Sequence, residues 1–121
     1  MLMSIPRTPP SPNMIKRAYR NPHVYKNLRH AWGWELKAAA GLARFRLMAM
    51  ADVQTKMRVK IHIAHKQKFD PDNLVGSVKV ILDALREIHF LADDSPELLE
   101  LEVTQEQCLT PYTLIEMEEA A

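Results

Sequence analysis

Hydrophobic positions along the chain repeat with two different periods, and these predict its secondary structure. Apolar residues recur at spacings of three and four over residues 22–48 and again over residues 73–89, which indicates two amphipathic helices. Apolar and polar residues alternate over 57–64 and 99–105, as they do in half-buried strands. With short strands at 1–5 and 112–117, the order β-α-β-α-β-β predicts an α+β fold: a small mixed sheet of about four strands with two main helices.

Proline and asparagine mark where the first helix begins. The segment from Pro6 to Asn13 is predicted to be a rigid, extended loop, because proline fixes its own φ and restrains the residue before it. Asn21 and Pro22 have the order expected of an N-cap followed by the first helical residue.

Length and composition favour one intracellular domain. The 121 residues, 47% of them hydrophobic, suffice for a single domain spanning 1–121 with its own core. No apolar run approaches the ~20 residues of a membrane span, so no membrane partner is expected. Arg7 and the prolines stand where a signal peptide needs its apolar stretch, and Cys108 has no second cysteine to pair with. We therefore expect a cytoplasmic protein.

Charge is distributed unevenly along the chain. Residues 1–68 carry 14 Lys/Arg and 2 Asp/Glu, whereas residues 69–121 carry 2 Lys/Arg and 13 Asp/Glu. This asymmetry suggests that one part contacts nucleic acid and the other binds metal. A second interpretation is that the basic strand 57–64 pairs with the acidic strand 99–105 in the sheet.

Two acidic clusters flank the second helix and are the main candidates for chemistry. Asp70-Pro71-Asp72-Asn73 opens the helix and Asp93-Asp94-Ser95 follows it. A helix of about four turns would separate the two clusters if it ran straight between them. If the helix packs back on the sheet, its two flanking loops can still approach each other, and the carboxylates are best explained by a shared hard cation such as Mg²⁺. Asp70 and Asp72 are the first ligands, Asp94 the preferred third and Asp93 the second choice. Alternatively, Asp72 or Asn73 caps the helix and the second cluster is a turn.

A lysine and a glycine lie on the same helix. Lys79 follows Asp72 by nearly two turns, so both fall on one face, with Gly76 between them. A glycine inside a helix costs about 1 kcal/mol relative to alanine, and close approach of a phosphate backbone would explain it. Lys79 would then stabilise charge that develops during phosphoryl transfer. The alternative is an exposed Lys79–Asp83 pair.

Basic residues near both clusters are candidates for DNA contacts. One group follows the prolines and the other flanks the first acidic cluster, and both suit electrostatic contacts to phosphates. An ordinary solvated run of charge is the alternative for each. The candidate DNA-binding residues are Asn13, Lys16, Arg17, Arg20, Lys66 and Lys68.

Taken together, these motifs resemble the RusA family of Holliday junction resolvases, which is common in phages and prophages. The matching pieces, which cover most of the chain in the family's order, are Pro9-Pro10-Ser11-x-Asn13, Asp70-x-Asp72-Asn73, Lys79-x-x-x-Asp83-Ala84-Leu85 and Asp93-Asp94-Ser95. The resemblance implies a small α+β homodimer that cuts four-way DNA junctions with Mg²⁺ or Mn²⁺. It also implies that Asp70, Asp72 and Asp94 hold the metal and that Lys79 is the catalytic lysine.

The sequence departs from the family's pattern at the lysine. In the best-known form of the motif the lysine follows the asparagine by three residues, whereas Lys79 follows Asn73 by six. If the extra residues are helical, they move the lysine by about 4.5 Å along the axis and turn it by about 60°. If they lengthen the loop, the lysine keeps its place.

Three functions follow as hypotheses. The first is a metal-dependent endonuclease that resolves four-way junctions by paired symmetric nicks, as a homodimer. The second is a protein of the same fold that binds branched DNA without cutting it. The third is a nuclease that acts on flaps or other branched DNA.

Overall fold

The structure, a computed structural model, describes residues 1–10, 14, 16–17, 20–67 and 69–120. The predicted α+β class and the order β-α-β-α-β-β are confirmed, with the first helix in two segments. None of the helices among the described residues is long and apolar enough to cross a membrane. In chain order the elements are β1 (Leu2–Ile5), α1 (Pro22–Ala40), α2 (Arg44–Asp52), β2 (Met57–His65), α3 (Pro71–Glu87), β3 (Leu99–Gln107) and β4 (Tyr112–Glu119).

The strands form one mixed sheet in the order β1-β4-β2-β3. β4 is antiparallel to both β1 and β2, whereas β2 and β3 are parallel. Parallel neighbours need a crossover connection, and here α3 supplies it. The helix therefore runs from the carboxyl end of β2 back to the amino end of β3.

One face of the sheet packs against the helices and forms the core. Met57, Val59, Ile61 and Ile63 of β2 are at most 1% exposed. Burial of such a side chain stabilises the fold by roughly 1.5–3 kcal/mol, so a slip of one residue in register would be costly. Because the register of β2 is fixed in this way, the place in the fold where β2 ends and the chain turns toward α3 is fixed as well. The helices contribute Trp32, Leu36, Leu47, Val78, Ile81, Ala84 and Leu85 to this core.

The opposite face of the sheet is charged and accounts for part of the uneven charge distribution. Arg58 lies 3.1 Å from Glu100 on β3 and 3.2 Å from Glu118 on β4, and Lys56 lies 3.6 Å from Glu100. The pairing of the basic and acidic strands, predicted as the second interpretation, is confirmed. The hydrogen bond from Arg58 lowers the pKa of Glu100 below its ordinary value.

The apolar stripe predicted one continuous helix over residues 22–48, but the structure has a break within that range. Asn21 caps α1 as expected, with its side chain accepting a hydrogen bond from the His23 N–H at 3.0 Å. The helix then ends at Gly41, which adopts a φ of +58° that favours glycine. Residues 41–43 form a short 3-10 turn before α2 begins. The periodicity continues through this break and therefore conceals it.

Candidate active site at the start of helix α3

Asp70 and Asp72 lie at the amino-terminal end of α3, where the chain leaves β2. Asp70 is extended (φ −67°, ψ 163°) and caps the helix, and Pro71 is the first helical residue. Its carboxylate accepts two hydrogen bonds from Asn73, one from the backbone N–H at 2.9 Å and one from Nδ2 at 2.9 Å. The cap is thus Asp70 rather than Asp72 or Asn73, and α3 begins two residues earlier than predicted.

Capping leaves Asp70 able to bind further ligands. Each carboxylate oxygen has more than one lone pair, and each accepts one hydrogen bond from Asn73. Asp72 lies in the first turn of the helix and its side chain is exposed. Two neighbouring carboxylates at a surface suit Mg²⁺, which typically uses one or two protein carboxylates together with phosphate oxygens and water. Asp70 and Asp72 therefore fit the predicted cation.

The short loop between β2 and Asp70 is held by two glutamines of β3. Gln105 bonds both the N–H of Phe69 (3.0 Å) and its carbonyl (2.8 Å), and Gln107 donates to the carbonyl of Lys66 at 2.9 Å. These two glutamines were missed by the sequence analysis. One feature of the sequence could have identified them. They are polar residues that continue the period-two series Leu99, Leu101 and Val103 on the same face of β3.

The proline-rich segment is anchored beside α3. The Arg7 carbonyl accepts a hydrogen bond from Thr113 at 2.7 Å, and the Arg7 guanidinium stacks over Trp32. The Pro10 carbonyl then accepts from the buried Ser77 hydroxyl of α3 at 3.2 Å. Pro10 consequently lies next to the amino-terminal half of α3.

Four of the predicted DNA-binding residues are exposed in the described part of the chain. Lys66 is exposed in the β2–α3 loop, and Lys16, Arg17 and Arg20 are exposed in the segment after the prolines. Asn13 and Lys68 lie outside the described residues, so the structure does not address them.

Gly76 and Lys79 lie on the exposed side of the same helix. A Cβ atom at Gly76 would meet nothing within 4 Å, so the helix surface there is open. Residues 73–79 are all helical, which decides between the two alternatives for the longer spacing. The lysine is displaced along the helix by about 4.5 Å and turned by about 60° relative to the shorter motif.

The second acidic cluster lies at the other end of α3. Asp93 and Asp94 follow the helix, and their carboxylates lie 3.8 Å and 3.6 Å from the guanidinium of Arg86. Asp70 and Arg86 are sixteen residues apart on one straight crossover, a rise of roughly 24 Å. The expectation that the two flanking loops meet within one chain is therefore wrong. Asp70 and Asp72 both lie at the start of α3, and Asp93 and Asp94 do not join them.

Asp83 has a structural partner on the first helix. Its carboxylate accepts a hydrogen bond from the Tyr25 hydroxyl of α1 and lies 3.7 Å from Arg86. Arg29 of α1 likewise bonds Glu87. These contacts, together with Gly33 packed against Ile88, hold α1 alongside α3.

A cleft opens near the Asp93–Asp94 end. It has a volume of about 630 Å³ and lies between α2 and the loop after α3. Gln54 and His89, which both have positive φ, line it together with Asp52 and Arg86. It is remote from Asp70, so it does not form part of the first acidic site.

Neither a larger cluster of metal ligands in the described part of the chain nor a family relationship adds to these residues. Among the described residues, no group of three or more His, Cys, Asp or Glu side chains could hold one metal ion. No protein-family model matches the chain, and no curated protein is significantly similar to it in sequence.

Proposed function

We propose that this protein is a Mg²⁺-dependent endonuclease that cuts branched DNA, with four-way junctions as its substrate. The observation that supports the proposal is the placement of Asp70 and Asp72 together at the start of α3, on a helix whose surface is open at Gly76. Exposed Lys66 in the loop before Asp70 supplies positive charge beside them, and Lys16, Arg17 and Arg20 are further exposed basic residues. Carboxylates that hold a metal ion, together with basic side chains that contact phosphates, suit metal-assisted cleavage of a phosphodiester.

The residues divide the work in the following way. Asp70 and Asp72 would hold the cation, which would neutralise charge on the scissile phosphate and activate water. The positive end of the α3 dipole favours the phosphate at the same place. Lys79, two turns further along the helix, stabilises negative charge on the DNA backbone.

Use of Asp94 as a third ligand requires a second copy of the chain. One protomer keeps Asp70 and Asp94 at opposite ends of α3, so a centre that includes both must combine two protomers. A homodimer meets this need, and its two-fold symmetry also matches two symmetric nicks in a four-way junction.

The displaced lysine and the separated acidic clusters favour a second candidate function. If the chemistry depends on three carboxylates and a lysine at the shorter spacing, this chain binds branched DNA without cutting it. Such a protein would bind junctions with a steep salt dependence and give no product with any divalent cation.

The test is cleavage of an end-labelled synthetic four-way junction in Mg²⁺ or Mn²⁺, with a flap and a linear duplex alongside. Wild type and Asp72→Asn are compared, and Glu102→Gln on the charged face of the sheet is the matched acid-to-amide control. We expect paired symmetric nicks from wild type and from the control, and a loss of at least about 100-fold with Asp72→Asn.

Three results would contradict the proposal in different ways. Cleavage by Asp72→Asn at the wild-type rate would exclude Asp72 as a metal ligand needed for cleavage. Junction binding without nicks from any of the proteins supports the non-cleaving alternative. Cleavage of the flap but not the junction keeps the nuclease and changes its substrate.

A further inference from the structure

The side-chain amide of Gln105 bonds both backbone groups of the residue that precedes Asp70. Its Oε1 accepts from the Phe69 N–H at 3.0 Å, and its Nε2 donates to the Phe69 carbonyl at 2.8 Å. A neighbouring strand would bond a backbone in this way, but here one side chain does so at a single residue. The geometry also assigns the amide orientation, since the reversed amide would place donor against donor and acceptor against acceptor.

His65 completes this arrangement from the end of β2. Its Nε2 lies 2.9 Å from Gln105 Oε1, so the proton of the neutral ring is on Nε2 and is donated to that oxygen. The ring is only 4% exposed and packs edge-on against Phe69, with centroids 4.5 Å apart. Gln105 is paired in register with the fully buried Ile63, so its own strand position is fixed by the core.

The contacts leave the loop little freedom just before the acidic site. Five residues connect the end of β2 to the first residue of α3, and Gln105 and Gln107 bond backbone groups of Lys66 and Phe69 among them. Because Asp70 follows Phe69 directly, the peptide that Gln105 holds is the one that leads into the cap. On its other side, Asn73 donates a hydrogen bond from Nδ2 to the Asp70 carboxylate.

We propose that Gln105 is a positioning residue for the cation site. It holds the backbone of Phe69 so that Asp70 and Asp72 face one ion, and it does not itself touch the ion or the DNA. The inference rests on the proposed function, because it assigns the contact between Gln105 and Phe69 to metal binding. Groups that orient ligands in this way typically contribute 10–100-fold to metal affinity.

The experiment compares Gln105→Leu with Gln107→Leu, which removes the single bond to Lys66 from an exposed position on the same strand. The measurement is the Mg²⁺ concentration that gives half-maximal junction cleavage, together with junction affinity in the absence of metal. We expect Gln105→Leu to raise that Mg²⁺ concentration by roughly 10–100-fold and to leave metal-free junction affinity unchanged. Gln107→Leu should change it by a few-fold at most.

Gln105→Glu keeps the test decisive if the leucine variant does not fold. The glutamate retains the acceptor for the Phe69 N–H but places its second oxygen against the Phe69 carbonyl, so an intermediate rise in the required Mg²⁺ is expected. An unchanged Mg²⁺ requirement in every folded Gln105 variant overturns the proposal, as does an equal loss of metal-free junction binding.

Amide hydrogen exchange separates failure of this inference from failure of the proposed function. Exchange at the Phe69 N–H should be slow in wild type and fast in Gln105→Leu, whether or not the protein cuts DNA. If wild type shows this exchange pattern but does not cut DNA, the proposed nuclease function is rejected and the contact between Gln105 and Phe69 is confirmed. Cleavage by wild type with equally slow exchange in Gln105→Leu rejects the positioning role.

Discussion

The two ends of α3 carry pairs of aspartates that are held by different kinds of partner. At the first end, the Asp70 carboxylate is held by the backbone and side-chain amides of Asn73. At the other end, Asp93 and Asp94 face the guanidinium of Arg86. Amide donors orient a carboxylate and leave its negative charge in place, whereas a guanidinium neutralises it. The Asp70 end is therefore the better prepared of the two to attract a cation.

The difference between the two ends of α3 also bears on whether one protomer or two are needed to form the metal centre. If Asp94 is a metal ligand, it must leave or share Arg86 and reach the Asp70 end of another copy. If it is not, Arg86 and the aspartates form a local ion-pair group that ends the helix. Substitutions at the two ends of α3 distinguish these two possibilities.

Mixed dimers give the largest effect. Asp72→Asn and Asp94→Asn are each expected to abolish cleavage, but a mixed dimer of the two would contain one centre with both substitutions and one with neither. We therefore expect mixing and exchange of subunits to restore nicking of a single strand, read on a junction with one labelled arm at a time. The control is each variant mixed with itself.

Two other outcomes would assign the two ends of α3 different roles. If the mixture stays inactive although subunit exchange is shown by a tagged partner, the two clusters do not act in one centre. Full activity of Asp94→Asn alone would make the Asp94 end a structural feature and leave Asp70 and Asp72 as the metal ligands.

Substitution of Asp70 separates its cap from its chemistry. Asp70→Ala removes the acceptor for the Asn73 N–H and is expected to lower the free energy of unfolding by about 1 kcal/mol, measured by urea denaturation. Asp70→Asn retains a capping oxygen, so its stability should stay near wild type, but both variants should lose cleavage.

Asn21→Ala is the matched control for this experiment. It removes the N-cap of α1, which accepts from the His23 N–H. A similar loss of about 1 kcal/mol with wild-type cleavage is expected. Cleavage by Asp70→Asn at the wild-type rate would show that Asp70 only caps the helix. Asp93 and Asp94, at the other end of α3, would then be the better candidates for metal ligands.

The fold could be predicted because its burial pattern is regular. Alternation in the strand that begins at Met57 and the strand that begins at Leu99 gave both strands to within about two residues. The break after Ala40 could not be predicted, because Leu42, Leu47 and Ala51 keep the chain apolar beyond it and only the φ of Gly41 interrupts the helix.

The candidate site was predicted in part. The residues at the start of α3 were identified from their types and spacing, since a pair of aspartates before a helix is a local feature. The sequence left open whether Asp94 lies near Asp70, because their separation depends on β2 and β3 being parallel, which makes α3 run the length of the strands. Gln105 was missed for the same reason, as its contact with Phe69 joins residues 36 positions apart.

The smallest expected effect concerns acid stability and belongs to neither end of α3. On the charged face of the sheet, hydrogen bonds from Tyr112 and then His62 lower the pKa of Glu106 below its ordinary 4.5. A carboxyl whose pKa is lower in the folded state stabilises the fold above its unfolded pKa, and this contribution is lost as the pH falls through the folded pKa. Wild type should therefore lose stability from about pH 4.5 downward.

Both Glu106→Gln and Tyr112→Phe should reduce this loss, the first by removing the acid and the second by removing its main donor. The measurement is the melting temperature between pH 6 and pH 3, and the effect should be small because the pair is exposed. Junction cleavage near neutral pH should be unchanged in both, since the pair lies on the face of the sheet away from the helices. A loss of cleavage in either variant would indicate that the charged face of the sheet contacts DNA. The two ends of α3 would then be only part of the DNA-binding surface.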